Sequence, residues 1–109
     1  MKHEVKVIPA AQKQEEARMR YTYTVMLTPE SDGGYVVEVP ALPGCVTAGK
    51  TLTDALLLAE DAIRGYLAVL QEDGDPIPRE GHEITVALGK NREAILRKVS
   101  VSMKAVEVA

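Results

Sequence analysis

The sequence predicts an α+β fold: a three- to four-stranded, mainly antiparallel sheet in the order β-β-β-α-β, with one long helix packed on one face. Three observations carry this. Residues 21–28 (YTYTVMLT) alternate with period 2, as a half-buried strand does. Residues 52–73 repeat apolar side chains at the 3.6-residue period of a helix. Between them, a Gly-Gly turn and two closely spaced prolines divide short extended runs that suit a meander. A length of 109 residues bounds the chain to one small domain with a single core. That core must be built from Val, Leu, Ile, Ala and Met, because four tyrosines are the only aromatic side chains.

Taken in order, residues 1–20 read as an N-terminal extension. Residues 4–8 suit a short strand that Pro9 breaks, and residues 10–20 are polar and helix-permissive. Either a frayed end or a helix docked on a partner subunit fits this composition. The folded domain is expected over residues 21–88. In its first strand Tyr21, Tyr23, Val25 and Leu27 share one face, and Pro29 ends it. Ser31-Asp32-Gly33-Gly34 turns the chain into a second strand, residues 35–39, and residues 45–48 make a third. Thr51 is an N-cap with Asp54 three residues on, in the manner of a capping box.

Leu52, Ala55, Leu56, Ala59, Ile63, Tyr66, Leu67 and Leu70 form the apolar face of the helix, widened by Leu58, Ala62 and Val69. Glu60, Asp61, Arg64, Gln71 and Glu72 occupy the opposite face, which Leu57 interrupts. Gly74 is expected at C′, which gives a helix from Leu52 to Asp73, about 30 Å long. Residues 83–88 read as a fourth strand. The C-terminal segment, residues 89–109, reads as a short helix over 92–98 and then an extended run in which Val99, Val101 and Met103 alternate with polar residues. One helix covers one sheet face only, so the other face calls for a second copy or a protein partner.

The order strand, P-x-L-P-G-C, strand, G-K-T, helix resembles the HicB-like antitoxin family. The residues that carry the resemblance are Gly34 and Tyr35 after the turn, then Pro40, Pro43, Gly44 and Cys45 in the loop. Gly49, Thr51 and Ala55 at the helix opening complete the motif, with residues 74–78 (GDPIP) closing it. It spans just over half of the chain. The resemblance implies a partial ribonuclease-H-like fold and neutralisation of HicA, a small basic toxin that cleaves messenger RNA. Many members add a C-terminal DNA-binding domain; only six residues follow Met103 here.

Chemistry-bearing groups are sparse. Two-metal phosphodiester hydrolysis needs several converging carboxylates, yet residues 21–28 contain no acid, and Asp54 is accounted for as a capping residue. Cys45, the single cysteine, excludes an internal disulfide and reads as a buried small side chain. His3 and His82 have no metal-ligand spacing. Ala48-Gly49-Lys50-Thr51 lacks the upstream glycine of a phosphate-binding loop. No enzyme, metal or cofactor is expected.

The net charge of −3 gives no global case for nucleic acid. Lys90, Arg92, Arg97, Lys98 and Lys104 are the one basic cluster, and a DNA-binding autorepressor acting through it in an oligomer is the alternative function. The expected protein interface comprises Glu38, Leu57, Leu58, Glu60, Asp61 and Val69, with Glu72 and Asp73 aiding electrostatic encounter. No secretory or membrane-spanning run is present, so a cytoplasmic homodimer or higher oligomer is expected, partnered by a HicA-type toxin.

Overall fold

Alternation in residues 18–29 sets the centre of the sheet. In the computed structural model, which describes residues 18–88 and 93–104, strand β1 spans Arg18–Pro29. Strands β2 (Tyr35–Glu38) and β3 (Val46–Gly49) follow, then helix α1 (Leu52–Asp73) and strand β4 (Ile95–Lys104). The strands lie in the order β3-β2-β1-β4, with all neighbours antiparallel. β1 pairs with β2 from Met26↔Glu38 to Pro29↔Tyr35, and with β4 from Arg18↔Lys104 to Leu27↔Ile95.

Period-2 geometry sends Tyr21, Tyr23, Val25 and Leu27 to the face covered by α1. There they meet Ala55, Ala59, Ile63 and Leu67 from the helix, Val37 and Val39 from the second strand region, and Val99, Val101 and Met103 from β4. Ile63, Leu67 and Leu27 have no exposed surface, and each such burial stabilises by about 1.5–3 kcal/mol. Leu42, also fully buried, anchors the proline loop in this core.

Both ends of α1 are closed by capping hydrogen bonds. Thr51 Oγ1 accepts from the Asp54 N–H at 3.0 Å, which satisfies one orphan donor of the first turn. At the other end Gly74 adopts φ 72°; its N–H donates to Gln71 O at 3.2 Å, and Asp75 N–H donates to Leu70 O at 2.9 Å. This Schellman closure ends the helix at Asp73, as its sequence predicts. Gly49 has a different role. A Cβ placed there would lie 2.5 Å from Ala55 N and 2.6 Å from Ala55 Cα, so only glycine lets the first turn of α1 rest on the end of β3.

Several expectations need correction. Residues 83–88 form no strand; they run irregularly, with Ile84 and Val86 half-buried and Leu88 exposed. The strand at that side of β1 is β4, whose Val99, Val101 and Met103 bring a longer apolar face and a ten-residue ladder. Residues 95–98, expected in a short helix, are therefore strand. β1 begins at Arg18 rather than Tyr21, because residues 102–104 extend the ladder to meet it. The sheet thus reaches past both expected bounds, 21 and 88. β3 is displaced by one residue, leaving Cys45 just before it. The remaining expectations for the extension, residues 1–17, lie outside the described residues.

Candidate functional site

α1 turns an unusual face to solvent. By helical periodicity Asp54, Asp61 and Glu72 form one file, with Leu57 on one flank and Leu58 and Val69 on the other. Leu57, Leu58 and Val69 are 60%, 42% and 55% exposed, whereas a helix serving only its own core would bury or omit such residues. Glu60 lies nearer the sheet side and accepts a hydrogen bond from Arg64 in an i,i+4 pair. Asp61 is exposed.

Beside this ridge a groove of about 660 Å³ opens between the β1–β2 turn, the ends of β2 and β3, and the first turns of α1. Leu57 and Leu58 form its helical wall. Glu38, the remaining residue of the expected interface, lies elsewhere. It stands on the sheet face away from α1, in the cross-strand row Leu96–Met26–Glu38–Val46. Leu96 and Val46 are 47% and 56% exposed there, while Met26 is buried. The six residues expected at one interface therefore occupy two surfaces, five on the helix and one behind the sheet.

That second face was expected to lack an intramolecular cover, and one end of it is covered by this chain's own residues. Beyond Met26 the edge of β1 has no strand beside it, because β2 is only four residues long. Residues 78–80 lie there instead. Glu80 Oε1 accepts from the Thr24 backbone N–H at 2.6 Å, and its Oε2 accepts from Thr24 Oγ1 at 2.9 Å. Lys98, opposite Thr24 on β4, donates to the same Oε2. Burial alone would raise the Glu80 carboxyl; the bonds from Lys98 and Thr24 outweigh it and hold the group below its usual range. The Tyr23 hydroxyl donates to Pro78 O at 2.6 Å, and its phenol is pushed up to about 12, mainly by burial. Arg79 stacks over the Tyr21 ring, 5.0 Å from its centroid. Nothing in the sequence marks Glu80, whose partners lie 56 and 18 positions away.

The motif residues Pro40, Pro43, Gly44 and Cys45 build two successive turns: Leu42 N–H donates to Val39 O and Cys45 N–H to Leu42 O, each at 2.9 Å. The Tyr66 hydroxyl ties Pro43 O to α1 at 2.8 Å. Cys45 is 5% exposed and burial raises its thiol pKa, which opposes the thiolate that a nucleophile requires. Gly34 and Tyr35 open β2, and Tyr35 pairs with Gly49. Thr51 and Ala55 seat the helix. Arg97 and Lys98 are adjacent on β4 and project to opposite faces, with Lys98 committed to Glu80. They form no shared basic patch; Lys90 and Arg92 lie outside the described residues. Among the described residues no group of three or more His, Cys, Asp or Glu could hold a metal ion. No helix among them is long and apolar enough to cross a membrane.

Comparison with known proteins agrees with this architecture. A UPF0150 protein of Thermoplasma acidophilum is 52% identical over 65 residues, covering 59% of this chain and 94% of its own length. The crystal structure of the N-terminal domain of Burkholderia pseudomallei antitoxin HicB superposes with a TM-score of 0.58 at 25% identity, over 73% of this chain and 96% of that domain. A toxin–antitoxin complex from Streptococcus pneumoniae gives a TM-score of 0.62 over 75% of this chain and 69% of its own; at 19% identity that likeness concerns the fold alone. The family profile described as the HicB-like antitoxin of bacterial toxin–antitoxin systems matches residues 23–108, so the match runs through β4 and is not confined to the motif. The chain belongs to the HicB-like antitoxin family, a family of binding proteins rather than enzymes.

Proposed function

We propose that this chain is an antitoxin that binds a small, basic, RNA-cleaving toxin of the HicA type and neutralises it by covering its RNA-contacting surface. The observation that carries the reading is the exposed face of α1, where Leu57, Leu58 and Val69 flank a file of carboxylates. Such a face combines apolar area for affinity with negative charge that speeds encounter with a basic partner. Neutralisation by masking is stoichiometric and needs no catalytic group. The face behind the sheet, with Leu96 and Val46 exposed, is the surface for a second copy, giving a homodimer or higher oligomer. The complex acts in the cytoplasm, where messenger RNA is found.

Co-expression with a small basic HicA-type protein, followed by tandem purification and an RNA-cleavage assay, tests the proposal. A complex of fixed stoichiometry with suppressed cleavage supports it. Failure of the two chains to associate, or cleavage undiminished within the complex, refutes it.

A further inference from the structure

The groove beside the α1 ridge has features that the ridge lacks. Its apolar side chains are Tyr35 of β2 and Leu57 and Leu58 of α1, beside the strand residues Val36 and Ala48, whose side chains turn to the other sheet face. Its rim carries three carboxylates, Glu30, Asp32 and Asp54, against one ammonium, Lys50. None of the three carboxylates takes part in an ion pair among the described residues. They are spread round the rim from the β1–β2 turn to the helix N-terminus, and no metal-holding group is found among the described residues. A point cation is therefore a poor match, and the excess of negative charge repels phosphate backbones. What fits is a length of chain with an apolar side chain for the walls and Lys or Arg side chains for the rim.

We infer that this groove is the docking site for a basic segment of the partner protein, with one apolar residue inserted between Tyr35 and Leu58 and its flanking cations set against Glu30, Asp32 and Asp54. The assignment rests on the toxin-binding reading for the partner's identity, and on the groove alone for its chemistry. The rim charges act within about 8 Å at physiological salt, so they steer and orient the segment while the apolar walls hold it. Asp54 serves twice: its backbone N–H donates to the Thr51 cap, and its exposed side chain lines the groove.

The test titrates the intact chain, by calorimetry and amide NMR, with two probes: a short synthetic peptide alternating lysine and leucine, and a small basic HicA-type protein. The parent is expected to bind the peptide with amide shifts centred on Gly33, Gly34, Gly49 and Lys50. Glu30→Lys combined with Asp32→Lys, two exposed positions with no side-chain ion pair among the described residues, weakens both probes by at least about tenfold. Asp75→Lys combined with Glu83→Lys makes the same change of charge at two exposed positions outside the groove lining, and weakens them by less than about threefold. Equal losses in the two double variants, or peptide shifts centred elsewhere, overturn the groove assignment and leave the toxin reading standing. Peptide binding in the groove without binding of the basic protein overturns the toxin reading and upholds the groove. Binding of neither probe overturns both.

Discussion

Replacing Glu80 with alanine tests how the open edge of β1 is protected. The carboxylate accepts three hydrogen bonds, from the Thr24 N–H, the Thr24 hydroxyl and Lys98 Nζ. Its side chain is 7% exposed and Thr24 is 5% exposed, so water reaches these groups poorly. The Lys98 contact contributes little, because that side chain is 65% exposed and solvent screens it. The larger loss comes from Thr24, whose backbone N–H is left without an acceptor at a cost of about 1–3 kcal/mol. Alanine also admits some water, which moderates the loss, and a total of about 2–3 kcal/mol is expected. For a domain of this size that lowers Tm by about 10–15 °C.

Glu80→Gln should recover about half of this loss. Its carbonyl oxygen still accepts from the Thr24 N–H, but its amide faces the Lys98 ammonium donor to donor. Urea unfolding followed by far-UV circular dichroism measures all three proteins, since the chain has no tryptophan to report. The pH dependence adds a second check. The folded-state pKa of Glu80 lies below its ordinary value of 4.5, so its stabilisation is fully present above that pH and is lost as pH falls through the folded value. The gap between parent and Glu80→Ala should therefore be widest near neutrality and shrink below pH 4.5. A gap under about 0.5 kcal/mol at pH 7, or one that persists unchanged into acid, would refute the reasoning.

Gly49→Ala forces a Cβ into the Ala55 backbone, and a destabilisation of about 2–3 kcal/mol should appear as a lower urea midpoint. Gly81→Ala, where nothing lies within 4 Å, should leave that midpoint unchanged. Cys45, buried and with its thiol pKa raised, should react with a thiol reagent at mildly alkaline pH only as fast as the protein opens; rapid labelling of the native protein would contradict its placement. Under the proposed self-association, Leu96→Lys combined with Val46→Lys should shift the protein toward monomer in analytical ultracentrifugation without lowering Tm. An unchanged mass would remove the sheet face as the self-association surface.

The helix was readable to the residue because its signals are local: Thr51 caps one end, Gly74 closes the other, and the apolar face repeats between them. β1 was readable for the same reason. The last strand was not, because two segments offered alternation. Residues 83–88 show Ile84, Val86 and Leu88, and residues 99–103 show Val99, Val101 and Met103. Which of them pairs with β1 depends on the partner's length and on the helix above it, and neither is a local property. The candidate surface shows the same division. Exposure of Leu57 followed from its place on the polar side of α1. The groove did not, since it joins a turn, two strand ends and a helix that only the fold brings together. Glu80 had no sequence signal at all, being one acid among several in an irregular stretch.

The β1–β4 ladder sets the order of events during synthesis. Arg18 donates to the Ser102 carbonyl 84 positions further along the chain, and ten residue pairs tie residues 18–27 to residues 95–104. While the ribosome is still translating the helix, β1 exists with one full edge unpaired, and the core lacks Val99, Val101 and Met103. A nascent chain in that state has the hairpin and the helix but cannot close the sheet, because closure of so long a loop must wait for its final strand. The exposed face of α1, the proposed binding surface, thus sits on a finished scaffold only after residue 104 has emerged. Until then the exposed β1 edge is a target for proteases and for pairing with other nascent chains. A toxin of the proposed kind, made at the same time, would meet the completed α1 face only once that last strand has been made.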